Sequence, residues 1–134
     1  MAALTITAAL CVGGTNSSRD FGTAGEAITA GQAIFLSPTT AKWMLSDNNG
    51  TGTRQVHGIA MNGAALNQPI AIHKSGTITI GATLTAGLDY WLGSTPGSIG
   101  PRADVTTGMD PIKIGIASST TVLSVDIQDV GVTI

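Results

Sequence analysis

The chain has 134 residues, of which 10% are charged, and a formal net charge of −2. That is the length of one domain, enough to bury about two-thirds of the unfolded surface without a covalent staple. The six basic residues are scattered and form no cationic stripe, which argues against nucleic-acid binding; no apolar run approaches the roughly 18–20 residues of a membrane span.

Taken in chain order, residues 1–11 alternate Leu4, Ile6 and Ala8 with Thr5 and Thr7, the period of an extended strand. They lack the basic start of a secretory leader. Cys11 is the only cysteine, so no intrachain disulfide can form and a reducing cytoplasm suits folding. Residues 12–24 are rich in Gly, Ser, Thr and Asn and read as a flexible connector. Residues 1–24 are therefore expected to be an N-terminal arm and connector ahead of a β domain at 25–134.

Within that domain, strands are expected near 26–29, 32–37 and 41–46, with a hairpin turn at 37–40. A loop at 47–52 with an Asn-Gly turn signal follows, then a strand near 53–60. Residues 62–68 could hold one helical turn before Pro69, and strands near 69–74 and 76–80 flank Ser75 and Gly76. Further strands are expected near 83–85 and 88–93, then a turn at 94–97 and an irregular stretch through Pro101, Asp104 and Gly108. Strands near 112–118 and 121–128 follow, and Val130, Val132 and Ile134 alternate to the end. The abundance of Thr, Ile and Val with frequent Gly breaks describes short strands and tight turns.

Two stretches are copies of each other. Residues 25–37 (GEAITAGQAIFLS) align without gaps on residues 81–93 (GATLTAGLDYWLG), and Gly58, Ile59 and Ala60 recur as Gly115, Ile116 and Ala117. Each copy runs Gly-x-x-aliphatic-Thr-Ala-Gly, an aromatic strand, a polar turn and a Gly-Ile-Ala strand. Two copies are too few for a solenoid. The fold class is all-β, a small β-barrel or sandwich of two pseudo-repeated halves at about 25–80 and 81–134, with an extended N-terminal arm.

Candidate chemistry is thin. The two histidines, His57 and His73, fall in separate expected strands, where partly exposed structural roles account for them, and no Gly-x-Ser-x-Gly elbow accompanies them. With Cys11 they bring too few ligands together for zinc. The carboxylates sit mostly at turns, where Asp closes backbone hydrogen bonds. No Gly-rich stretch has the spacing of a phosphate cradle. The expectation is a protein that is not an enzyme and needs no cofactor or metal. Phe35 and Trp91 occupy equivalent repeat positions and suggest equivalent core packing. Trp43, beside a hairpin turn, is a possible interface aromatic or sugar platform, or else a half-buried strand residue. A soluble chain with so few charges is expected to have much of its surface covered by partners.

Residues 25–37, 58–65 (GIAMNGAA), 68–72 (QPIAI), 75–87 (SGTITIGATLTAG) and 115–123 (GIASSTTVL), in this order and spacing, resemble the capsid decoration proteins of tailed bacteriophages, also called cement or head-stabilising proteins. The resemblance spans roughly residues 25–130 and weakens over 1–24. It implies a small β-rich domain, usually a homotrimer, bound to the major capsid protein on the outer surface of the mature head near local three-fold axes. Such a protein is made in the bacterial host cytoplasm and carries no catalytic residue or cofactor. On this reading Ala3, Leu4, Thr5, Ile6, Thr7 and Ala8 are the expected contact with the capsid or a neighbouring subunit, added as a strand with Leu4 and Ile6 in pockets. The same segment could instead pair within its own domain as an edge strand. A carbohydrate- or receptor-binding knob of a phage fibre or tail is the alternative function.

Overall fold

The computed structural model of the chain describes residues 4–50, 52–129 and 132–133. Strand accounts for 42% and helix for 5%, so the chain is all-β, and its antiparallel sheet curls into a half-barrel. The strands are β1 (Val12–Gly13), β2 (Ser18–Thr23), β3 (Ala33–Leu36), β4 (Trp43–Leu45), β5 (Gly58–Ala60), β6 (Pro69–Thr79), β7 (Asp89–Leu92), β8 (Ile99–Pro101), β9 (Ile112–Ala117) and β10 (Val122–Asp129). Short 3₁₀ turns occupy Ala8–Leu10 and Arg102–Asp104.

The sheet runs β4-β3-β5-β6-β10-β9-β7-β8, with β1 and β2 added along β6. This order is a palindrome about the β6–β10 pair, in which β3, β4, β5 and β6 correspond to β7, β8, β9 and β10. The sequence copies take matching backbone bonds. Gly31 N–H donates to Ala60 C=O at 2.8 Å and Gly87 N–H to Ala117 C=O at 2.7 Å; Ala60 N–H returns to Gln32 C=O and Ala117 N–H to Leu88 C=O, both at 2.9 Å.

β6 holds the two ends of the sheet together by changing face part-way. Ile70 and Ile72 fill a smaller core with Ala24, Ile28, Ile34, Trp43, Ala60 and Ala64, whereas Ile78 enters the main core, as do Ile80, Leu92 and Leu123. Strict alternation would put positions 72 and 78 on one side. The register against β2 slips between Ser18 and Arg19, which pair with Ser75 and His73, and this bulge turns the strand over. Gly76 lies just beyond, at φ +87, and a Cβ there would come 2.4 Å from Asn16 C=O, so only glycine fits.

The strands expected near 32–37, 41–46, 88–93 and 112–118 are present in trimmed form as β3, β4, β7 and β9, the one near 121–128 is β10 shifted by a residue, and β5 is the end of the one expected near 53–60. Other segments differ. Residues 26–29 reduce to an isolated bridge between Ile28 and Ala64, and residues 83–85 join no strand, because the Thr-Ala-Gly turn that follows each carries the chain across to the Gly-Ile-Ala strand. The two strands expected around Ser75 and Gly76 are one 11-residue strand. Residues 62–68 form a turn rather than a helical one, held by Asn62, whose Oδ1 accepts Ala71 N–H at 2.7 Å. β8 lies in the stretch expected to be irregular; its Pro101 ends a strand whose outer side needs no ladder partner there. The residues expected to form a flexible connector contain β1 and β2, both antiparallel to β6. Val130 and Ile134 lie outside the described residues.

Candidate functional site

The N-terminal segment lies along the outside of the domain. Leu4 N–H donates to Ile99 C=O at the edge of β8, and Thr7 N–H to Gly81 C=O, both at 2.8 Å. Leu4 and Ile6 are half-buried against the main core. Ile6 sits over Gly31, whose absent side chain makes the room: a Cβ there would be 2.5 Å from Ile6 Cγ2. A shallow pocket of about 220 Å³ borders Leu4 and Ile6, walled by Thr29, Gln32, Pro96 and Ile99 among others. Thr5, Thr7 and Ala8 are exposed, and Ala3 lies outside the described residues. The alternation of Leu4 and Ile6 with Thr5 and Thr7 thus becomes an inner and an outer face, and the inner face meets the chain's own domain. Beyond the segment, Leu10 is 59% exposed, Val12 58% and Phe21 74%.

Trp43 needs correction as an interface aromatic. Its ring is 3% exposed and packs in the smaller core. It lies against Gly22 of β2, where a Cβ would come 2.4 Å from the indole Nε1. The sequence signal was there in Gly22, the flat position on a strand that lets a large ring approach the backbone. Trp91 differs from its repeat partner Phe35. Phe35 is 4% exposed, whereas Trp91 is half-buried, with its indole N–H donating to the Asp89 carboxylate at 2.6 Å and the Arg102 guanidinium 5.5 Å from its ring centre.

The structure does not bring the histidines into a reactive group. His57 uses Nδ1 to accept Leu36 N–H at 2.9 Å, and its ring meets Phe35 and Trp43 edge-on at 6.4 and 6.2 Å. Burial, and then the Lys74 charge, hold its pKa below the ordinary value. His73 is fully buried rather than partly exposed. Its Nε2 lies 3.0 Å from Gly76 C=O, to which it donates, and its buried Nδ1 has no partner. Burial lowers its pKa, with Arg19 adding to the effect against the Gly76 hydrogen bond. Burial also pushes the Cys11 thiol up to about 11, which keeps it protonated and unreactive. Among the described residues no three of His, Cys, Asp and Glu come together as metal ligands.

A second polar group does converge, unannounced by any motif. Residues 46–48 run from β4 along the β7–β8 turn, with Gly97 N–H donating to Ser46 C=O and Asn48 N–H to Gly93 C=O. Asn48 Nδ2 donates to Leu92 C=O at 2.8 Å. Nearby, the Arg54 guanidinium bonds Gly50 C=O, Asn49 C=O and the Asp110 carboxylate. This group ties the first half to the second and accounts for most of the buried polar side chains. No protein-family model and no curated protein matches the chain.

Proposed function

We propose that the chain is a non-enzymatic structural protein that binds the exterior of a mature tailed-phage capsid and stabilises it against internal genome pressure. In this reading it associates with itself, as a homotrimer, and with the major capsid protein. The observation that carries the reading beyond the sequence resemblance is the N-terminal segment. It is laid on the surface of a finished domain, with Leu4 and Ile6 half-buried, and continues into the exposed Leu10 and Val12. Leu10 and Val12, apolar and exposed on a chain of low charge, suit an assembly contact.

Such a protein works by differential binding. If it binds the expanded shell and not the precursor, mass action stabilises the expanded form. A trimer that engages several lattice subunits gains avidity, because the later contacts are intramolecular. The test is to add purified protein to undecorated mature heads. Saturable binding in multiples of three per local three-fold axis is expected, along with heads more resistant to heat or chelator. Absence of binding overturns the reading. Deleting residues 2–7 is expected to leave a folded chain that binds heads more weakly.

The knob reading is favoured by one observation, the partly exposed Trp91 with Asp89 and Arg102 beside it, since an aromatic face with polar neighbours suits a sugar ring. Glycan binding that is lost in Trp91→Ala, with no affinity for heads, would select it.

A further inference from the structure

Residues 4–18, 75–88 and 114–125 contain no Asp, Glu, Lys or Arg, and no aromatic residue. They are remote in sequence, yet the fold lays them side by side. Val12 and Val122 flank Thr79 from the two sides of β6, and Leu123 pairs with both Ile78 and Ala117. Thr7 N–H donates to Gly81 C=O, Ile80 N–H to Thr121 C=O and Leu84 N–H to Thr120 C=O. Among the described residues, these segments bring no formal charge to one end of the molecule. Arg19, near Gly13, and Asp89, opposite Ile116, mark its margin.

This end holds a groove of about 440 Å³ lined by Thr5, Thr7, Leu10, Thr79, Thr83 and Thr121, among others. The hydroxyls of Thr5, Thr7, Thr79 and Thr83 make no hydrogen bond to another described residue. Leu10 and Val12 stand exposed beside it.

We propose that this uncharged end is the surface through which copies of the chain associate. The inference rests on the self-association in the reading above and assigns it a place. Near a rotation axis between identical chains, a charged group meets its own sign, and the repulsion opposes association. A surface without charge avoids that conflict. A hydroxyl both donates and accepts, so a groove of threonines is complementary to a copy of itself, which a row of carboxylates or ammonium groups is not. Leu10 and Val12 add apolar area, and depletion of charge is the mark of an interface core. The outward Thr5 and Thr7 of the N-terminal segment then face a neighbouring copy, while Leu4 and Ile6 hold the segment to its own domain.

Sedimentation velocity and light scattering of the full chain across the micromolar range test this. The wild type is expected at a multiple of the chain mass. The double variant Thr83→Lys/Thr121→Lys is expected at the mass of one chain, with an unchanged circular dichroism spectrum and melt. Thr107→Lys, in the loop before β9 at the far end of that strand, is expected to keep the wild-type mass. Leu10→Asp, at a side chain already in solvent, repeats the test should the lysine pair fail to fold. A wild type that is monomeric throughout, variants at this end that keep the wild-type mass, or a Thr107→Lys variant that dissociates equally, would overturn the proposal. Adding heads to the same samples separates the two readings. Variants that dissociate as expected, beside a wild type that ignores heads, overturn the capsid reading alone; a wild-type oligomer that binds heads and survives the charge variants overturns only this surface.

Discussion

In the first half Ala33 pairs with Ile59 and Ile34 with Gly58; in the second, Asp89 pairs with Ile116 and Tyr90 with Gly115. These are equivalent residues in equivalent registers, yet their surroundings are exchanged. Ile59 is 0% exposed and Ile116 42%. His73, the partner of Ile59, is fully buried, whereas Ser124, the partner of Ile116, is exposed. The face that the second half turns to solvent is, in the first half, packed onto the main core that the second half mostly builds. The opposite face of the first half keeps its own small core, capped by Trp43 and the segment around Ala24. A duplicated unit has therefore kept its hydrogen bonds and divided the work of its faces, because two like sheets can share a core only if one of them offers its outer side to it.

Truncation at the equivalent isoleucines tests this division most strongly. Ile59→Ala should cost about 2–5 kcal/mol, the range for a buried branched side chain whose cavity cannot fully collapse. Ile116→Ala should cost under about 1 kcal/mol, since much of that side chain is already in water. Chemical denaturation of the two variants measures the gap. Equal costs would mean that the two faces are not divided as described.

The left-handed glycines sharpen the comparison at the next level. Gly31 has φ +92 and Gly87 φ +84, so alanine is strained at both. At Gly87 a Cβ meets nothing within 4 Å, and the backbone strain alone sets the cost at about 1–2 kcal/mol. At Gly31 the Cβ meets Ile6, and overpacking adds about 1–3 kcal/mol more. Gly31→Ala should also expose the N-terminal segment to proteolysis, an effect that Gly87→Ala should not share.

Much of the repeat was legible because it rests on local signals: the two Thr-Ala-Gly turns, the aromatic strands and the Gly-Ile-Ala strands. Alternation in β10 also reads directly, with Leu123 and Val125 buried and Ser124 and Asp126 exposed. What alternation cannot state is which face another element covers. Alternation alone leaves His73 and Trp43 on strands with two open faces, and only long-range packing buries both. β1 and β2 were hidden for a related reason. Their Gly- and Ser-rich sequence has weak strand propensity, and they are strands because β6 is long enough to pair with them. At the N-terminal segment the inner and outer residues were legible, but the surface beneath them, Gly31 and Ile99, was not.

Acid should distinguish the halves, since both histidines belong to the first. Their folded pKa values lie below the ordinary 6.5. The unfolded chain then binds more protons, so the stability they confer is complete above 6.5 and declines as pH falls through and below that value. Structurally, a proton on His57 Nδ1 removes the acceptor for Leu36 N–H, and one on His73 buries a charge facing Arg19. Unfolding midpoints measured down the pH scale should fall in the wild type and fall less steeply in His57→Gln, where the His73 contribution remains. Hydrogen exchange should show β3 and β5 opening before β9 and β10. Uniform loss of protection across both halves would break the distinction.

The smallest effect is expected where the halves are joined by charge. Arg54 belongs to the first half and Asp110 to the second, and they meet at 3.0 Å with side chains 31% and 18% exposed. Thr133 also donates its hydroxyl to the Asp110 carboxylate. That hydrogen bond, and then Arg54, hold the Asp110 pKa below its ordinary 3.8. The stability from this group is therefore full above 3.8 and lost as pH falls further, a step separate from the histidine one. Because the pair is part-exposed, a double-mutant cycle with Arg54→Met and Asp110→Asn should return a coupling of about 0.5–1 kcal/mol, reduced by salt. Thr133→Val should move the lower acid step upward while leaving the step below 6.5 unchanged. If the cycle returns no coupling, the joint between the halves is carried by the neutral bonds of Ser46 and Asn48 to the β7–β8 turn. Asn48→Ala should then cost more than either charged variant.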